Sequence, residues 1–443
     1  MALTVIKGAH IINEGKVIAS DVLIRNGRIE KIAKTISSKE AKEINADGLH
    51  LMPGVIDDQV HFREPGLTQK GTIKTESRAA VEGGVTSFME MPNTKPPALS
   101  KKLLEEKYAI AAKSSAANYS FYMGASNNNL KEVLKINPKK VCGVKVFMGS
   151  STGNLLMDDD KALRKLFSEC PTLIAAHCED EATIKANEDE FRMRYGEKVP
   201  AHLHPEIRSV KACLLSSAKA VALAEKYKAR LHILHISTAN ELELFTNRIP
   251  IKDKKITSEV CVHHLWFDSK DYKHLGTRIK CNPAIKSTEH RQALLTALND
   301  DRLDIIGSDH APHTRAEKQQ DYFKAPSGIP LVQHSLLMML DFHKRGLVTL
   351  ERIIEKMCHA PAICFKVKDR GFIREEYWAD LVLVDLSKGT TVTKDNLLYK
   401  CGWSPFEGQK FSASVVMTLV NGEVGFDSTK GVKKSQGKRL EFE

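Results

Sequence analysis

Residues 53–66 read Pro-Gly-Val-Ile-Asp-Asp-Gln-Val-His-Phe-Arg-Glu-Pro-Gly: a short apolar strand, Val55-Ile56, that runs into polar residues and ends at Gln59-Val60-His61. Seven more apolar strands follow downstream, at residues 85–91, 119–123, 141–147, 173–176, 231–234, 256–262 and 303–306. Most are succeeded by a stretch of helical character. Residues 100–115 (SKKLLEEKYAIAAKSS) predict a helix opened by a Ser cap. The stretch after Val262 is long and interrupted. Eight βα units in about 310 residues is the arithmetic of a TIM barrel with insertions, placed over residues 53–369. An open doubly wound sheet is the alternative, but no Gly-x-Gly-x-x-Gly follows the first strand.

The two ends read differently. Short apolar stretches near residues 5–24 are separated by Gly or charge, and Asn26-Gly27 is a hairpin signal because both residues tolerate positive φ. Residues 381–384 and 415–420 are further strands, followed by a second Asn-Gly pair at Asn421-Gly422. The two β-rich ends, 1–52 and 370–443, are expected to pair in one small β-sandwich-like domain. The tail from Ser428 is basic and aperiodic and is expected to fray.

The composition narrows the classes. The chain has 443 residues, with 42% apolar and 27% charged, which is globular rather than disordered. No apolar run approaches the roughly 18 residues of a membrane span, and the N-terminus has no secretory h-region. Nine Cys without paired spacing argue against a disulfide framework and point to a reducing cytoplasm. The formal net charge is +11, from 66 Lys+Arg and 55 Asp+Glu. No basic-aromatic motif or nucleic-acid module accompanies it, so a nucleic-acid partner is not expected.

Metal-capable groups fall at strand ends. His61 ends strand one, Lys145 lies in strand four, His177 ends strand five, His232 and His235 lie in strand six, and Asp309 ends strand eight. TIM barrels build their active sites at that face. One such His is usually a satisfied core residue, but five strand ends delivering such groups to one face suit Zn²⁺. An ammonium cannot ligate a metal. A buried, neutral Lys can add CO₂ and become a carbamate that bridges two cations. Strand parity puts Asp57, Gln59 and His61 on one face and Asp58 on the other. It also separates His232 from His235, of which His235 is the better ligand. Parity likewise allows at most one of His263 and His264 to face the barrel.

Together these residues resemble the dihydroorotases, cyclic amidohydrolases of the amidohydrolase superfamily. The stretch from Pro53 to Gly66 is similar to their metal-binding signature. Met91-Pro92-Asn93-Thr94, Lys280-Cys281-Asn282-Pro283, Asp309-His310-Ala311-Pro312-His313 and Ser404-Pro405-Phe406-Glu407-Gly408 match further motifs in family order. The resemblance covers essentially the whole chain. It implies a zinc hydrolase with two metals expected. His61, carboxylated Lys145 and Asp309 would hold one, and Lys145, His177 and His235 the other. A metal-bound hydroxide would attack the ring amide of dihydroorotate to give N-carbamoyl-aspartate, with Asp309 as general acid and base. The reverse direction closes the ring in pyrimidine biosynthesis. Arg63 and Asn93, assisted by His313, would grip the substrate carboxylate. Asn282 and the Ser327-Gly328 backbone would bond the ring amides. The polar segment 314–324 is a candidate lid, and a homodimer is the default assembly.

One position departs from the pattern. The family has His-x-His at the end of strand one, and this chain has Gln59-Val60-His61. A Gln amide is a much weaker zinc ligand, so the metal shared by His61 and Asp309 is expected to be weakened or lost, leaving one or two zincs per chain. Two other readings accompany this one. A sibling dihydropyrimidinase, hydantoinase or allantoinase shares the metal residues but has no carboxylate on its substrate for Arg63 to grip. A non-catalytic scaffold for aspartate transcarbamoylase has no chemical need for the site residues.

Overall fold

The computed structural model describes residues 3–149 and 155–443. Both chain ends build one nine-stranded sheet. Its N-terminal part runs from Leu3–Asn13 to His50–Pro53, and its C-terminal part from Leu381–Asp385 to Gly431–Val432. The halves join where His50–Pro53 pairs antiparallel with Leu381–Asp385. Both Asn-Gly pairs form the expected hairpins, with φ of +53° and +84° at Asn26-Gly27 and +52° and +79° at Asn421-Gly422. One face of this sheet packs Ile6, Ile11, Val22, Leu51, Leu381 and Leu419 into a core of its own.

The middle of the chain forms the barrel. Its eight strands are Val55–Val60, Val85–Glu90, Asn118–Phe121, Val144–Phe147, Ile174–His177, Leu231–Ile233, Ile256–Cys261 and Ile305–Gly307. All neighbours that pair are parallel. Between strands three and four, the Tyr122 N–H donates to Glu90 and the Met123 N–H to Gly143, which carries the sheet across the junction. The ring closes where Val60 bridges His310 beside strand eight. The helix of residues 101–114 starts as predicted: Ser100 is its N-cap and accepts from the Leu103 N–H.

Two expectations fail. Strand one is not regular, because a register shift lies between Asp57 and Val60. The bulge breaks the two-residue alternation. Asp58 therefore points into the barrel, 3.1 Å from His232 Nε2, rather than outward as parity suggested. Asp57 instead accepts from the backbone N–H groups of Gln59 and Ser308.

The tail does not fray. Lys438 to Leu440 exchange backbone hydrogen bonds with Tyr119, and Phe442 bridges Val367. Leu440 and Phe442 are buried against Ile56, Leu173, Ile305 and Phe365, at the N-terminal end of the barrel strands. Arg439 makes two hydrogen bonds to Glu105 and lies 3.4 Å over the Tyr108 ring. Two alternating apolar residues within a basic stretch suffice to dock it. Leu440→Ala is expected to lower the unfolding free energy by about 2–5 kcal/mol in urea titration. An unchanged midpoint would show that the tail contributes nothing.

Candidate active site

A cavity opens at the C-terminal ends of the barrel strands. It is lined by Gln59, His61, Arg63, Lys145, Phe147, His177, His235, Asn282, Asp309, Ala311, Ser327 and Gly328. Ten of these are sequence-predicted site residues, brought together from strands one, four, five, six and eight and from loops. Asn93 and His313 stand just behind the wall. Asn93 Oδ1 is 2.7 Å from His61 Nδ1, and His313 Nε2 is 3.0 Å from Arg63 Nη2 and 2.9 Å from the Ser327 carbonyl. Three lining residues hold left-handed backbone, with φ of +71° at Arg63, +42° at His235 and +45° at Asp309. Non-glycine residues adopt this region at a cost of about 1–3 kcal/mol each, and such strain clusters at functional sites.

Burial sets the protonation of the polar groups. Lys145 is 1% exposed, its Nζ has no hydrogen-bond partner among the described residues, and it lies 4.5 Å over the Phe147 ring. Desolvation lowers its pKa to about 7, so the neutral amine is well populated at neutral pH. That is the form able to add CO₂. His61, His177 and His235 are also pushed down, chiefly by burial, and remain neutral donors. His177 Nδ1 and His235 Nε2 face each other at 3.1 Å. His61 Nε2 is 3.2 Å from Asp309 Oδ1. A convergent set of neutral imidazoles, a carboxylate and an orphaned buried amine fits a divalent metal.

Gln59 occupies this set without matching it. Its Nε2 donates to Asp309 Oδ1 at 3.1 Å, and its Oε1 is turned toward Cys261 Sγ at 3.9 Å. The amide thus supports Asp309 as a hydrogen-bond donor. Arg63 keeps its charge, although burial lowers its pKa to about 10. Its hydrogen bonds go to the Pro312 carbonyl and the His313 ring rather than to a carboxylate, while Asp309, Glu90, Glu317 and Glu76 support its charge from a distance. Gly328, at φ +143°, brings backbone to the wall where a Cβ would meet the Ala311 carbonyl at 2.5 Å.

The segment 314–324 is tied down. Thr314 caps a short helix, Glu317 pairs with Lys70 at 2.9 Å, and the buried Lys318 Nζ donates to the carbonyls of Lys280, Pro326 and Gly328. His263 and His264 lie in a short helix, Val262–Trp266, so strand parity does not govern them.

Sequence reasoning missed Glu179 and Arg208. Glu179 Oε2 lies 3.0 Å from His177 Nε2 and 2.6 Å from Arg208 Nη1. Burial opposes its charge, but the Arg208 guanidinium and the His177 hydrogen bond outweigh it and hold the carboxyl at about 2. This fixes the His177 ring with Nδ1 toward His235, as orienting carboxylates do for metal-binding imidazoles. The available signal was the acidic residue two positions beyond His177.

The sequence matches the amidohydrolase family over residues 50–425. This chain belongs to the amidohydrolase family. Among curated relatives, the dihydroorotase of Methanosphaera stadtmanae is 32% identical over 411 residues, 91% of this chain and 92% of that protein. The dihydroorotase of Pyrococcus abyssi is 32% identical over 98% of both chains. Among solved structures, the L-hydantoinase (dihydropyrimidinase) of Arthrobacter aurescens superposes with a TM-score of 0.93 at 27% identity, covering all of both chains. The D-hydantoinase of a Bacillus species, AR9, has a TM-score of 0.87 at 23% identity, a likeness of fold alone. In this amidohydrolase no helix of the described residues is long and apolar enough to cross a membrane.

Arg208→Met would leave the buried Glu179 without its cation. It is expected to cost about 3–5 kcal/mol of stability, read by denaturant unfolding. A loss below about 1 kcal/mol would show that His177 alone satisfies Glu179.

Proposed function

We propose that this amidohydrolase is a dihydroorotase, interconverting (S)-dihydroorotate and N-carbamoyl-L-aspartate in pyrimidine biosynthesis. The observation that carries the reading is Arg63: a buried guanidinium at the cavity wall, held by neutral groups, beside a metal-capable cluster. A substrate carboxylate complements that charge in a planar, two-bonded geometry. The ring substrates of hydantoinases and dihydropyrimidinases carry no such carboxylate, so the likeness to their fold does not account for Arg63.

His61, Lys145 and Asp309 would hold one zinc, and Lys145, His177 and His235 a second, with Lys145 as its carbamate. When bound, zinc polarises the ring carbonyl and lowers the pKa of water. The chain's own groups do the rest. Arg63 fixes the substrate carboxylate, with His313 holding the guanidinium. Asn93 steadies the His61 ring. Asn282 and the Ser327-Gly328 backbone orient the ring amides. Asp309 takes a proton from the attacking water and returns it to the departing ring nitrogen. A homodimer remains the proposed assembly, and the domains run 53–369 for the barrel and 1–52 with 370–443 for the sheet unit.

The test is dihydroorotate hydrolysis by folded protein, with and without added Zn²⁺. Turnover is expected. Its absence under both conditions would favour a non-catalytic scaffold. Arg63→Met should lower kcat/KM by about 30-fold or more, the cost of about 2 kcal/mol or above for an unpaired substrate carboxylate. Equal loss on dihydrouracil, which lacks the carboxylate, would contradict the assignment of Arg63. At the first metal position, Gln59→His should raise zinc affinity, measured by competition with a chelator. Two zincs held equally tightly at the barrel mouth of the unaltered chain would refute a weakened site.

A further inference from the structure

Strand seven ends at Cys261, and the chain turns at once into the five-residue helix Val262–Trp266. The turn brings the rings of His263 and His264 together, with centroids 4.2 Å apart. One potential ligand atom from each of Cys261, His263 and His264 lies within 4.8 Å of the others. All three residues are buried, at 0%, 1% and 3% exposure. His264 Nε2 lies 3.0 Å from the Pro283 carbonyl and can only donate there, which leaves the Nδ1 lone pair free. That Nδ1 has no hydrogen-bond partner among the described residues, and the His263 ring meets only the Ser308 backbone, which leaves its second nitrogen open. Buried imidazoles seldom stand orphaned without an ion or a water to satisfy them.

We propose that Cys261, His263 and His264 form a zinc site separate from the cluster at the barrel mouth. None of the three lines the mouth cavity. One thiolate and two imidazoles are a donor set that zinc favours, and a ring N–H given to a backbone carbonyl is the usual orienting partner of a zinc-binding His. Ligands around a tetrahedral zinc with bonds of about 2.0–2.3 Å stand roughly 3.3–3.8 Å apart, so rotations of about 1 Å close the set. Binding converts the thiol to thiolate: the zinc–sulfur bond forms, the S–H bond breaks, and the proton is released to solvent. The fourth position falls to water or to Gln59 Oε1. Gln59 links the two sites, because its Nε2 is bonded to Asp309.

A second buried cluster, Asp58, His232 and Glu259, is also compact. There Asp58 and His232 face each other as an ion pair at 3.1 Å, which marks His232 as a cation rather than a metal donor. The rival for the first cluster is a plain thiol hydrogen-bonded to Glu259, which leaves the open nitrogen of each imidazole without a role.

The test loads chelator-stripped full-length protein with Co²⁺ under anaerobic conditions. The mouth cluster offers no sulfur ligand, so a thiolate-to-cobalt charge-transfer band in the near ultraviolet reports the proposed site. The band is expected in the unaltered chain, absent in Cys261→Ser and retained in His177→Asn. Zinc content should fall by about one ion per chain in Cys261→Ser and in His263→Gln, with circular dichroism confirming the fold. No band in the unaltered protein, a band surviving Cys261→Ser, or an unchanged zinc count would overturn the proposal. Dihydroorotate turnover is measured separately, so this site can fail while the activity stands.

Discussion

Closure of the barrel between its first and last strands is the constraint on which the site depends. The His61 N–H donates to the His310 carbonyl at 2.7 Å, and Val60 pairs with His310. This seam places His61 and Asp309, from opposite ends of the barrel sequence, within 3.2 Å of each other. His310 is itself locked: its Nε2 meets Glu76 at 2.9 Å and its Nδ1 accepts from the Leu331 N–H, all in a buried setting. An open sheet would leave His61 and Asp309 at two far edges, with no common cavity. A fully satisfied buried network of this kind rigidifies the geometry it spans.

Once the mouth is closed, dehydration does the chemical tuning. It holds the imidazoles neutral and brings Lys145 to about 7, which are the states metal ligation and carbamate formation require. The same dehydration would be costly for the charged groups. Glu179 keeps its charge through Arg208, and Arg63 keeps its own with only neutral neighbours bonded to it. Arg208 is thus bonded directly to a carboxylate, whereas Arg63 is not.

Much of this was legible in the sequence. The eight strands stood out because each is a short apolar run before a helical stretch. Gln59, His61, Lys145, His177, His235 and Asp309 stood out because each sits at or near a strand's C-terminal end. What was hidden depends on departures from regular geometry or on distant partners. The bulge at Asp57–Val60 turned Asp58 inward, against strand parity. The turn after Cys261 brought two consecutive histidines together, which alternation forbids. Arg208 meets Glu179 only through the fold, and its spacing gives no hint of the pairing. Leu440 and Phe442 lie within the tail read as basic and aperiodic, and the groove that receives them is assembled from several strands and a helix.

The account is tested most directly by a crystal structure of the zinc-loaded protein with N-carbamoyl-L-aspartate bound. A substrate carboxylate on the Arg63 guanidinium, with the ureido group over Lys145, His177 and His235, is the predicted result. A ligand bound outside this cavity, or bound with both carboxylates turned away from Arg63, would contradict it.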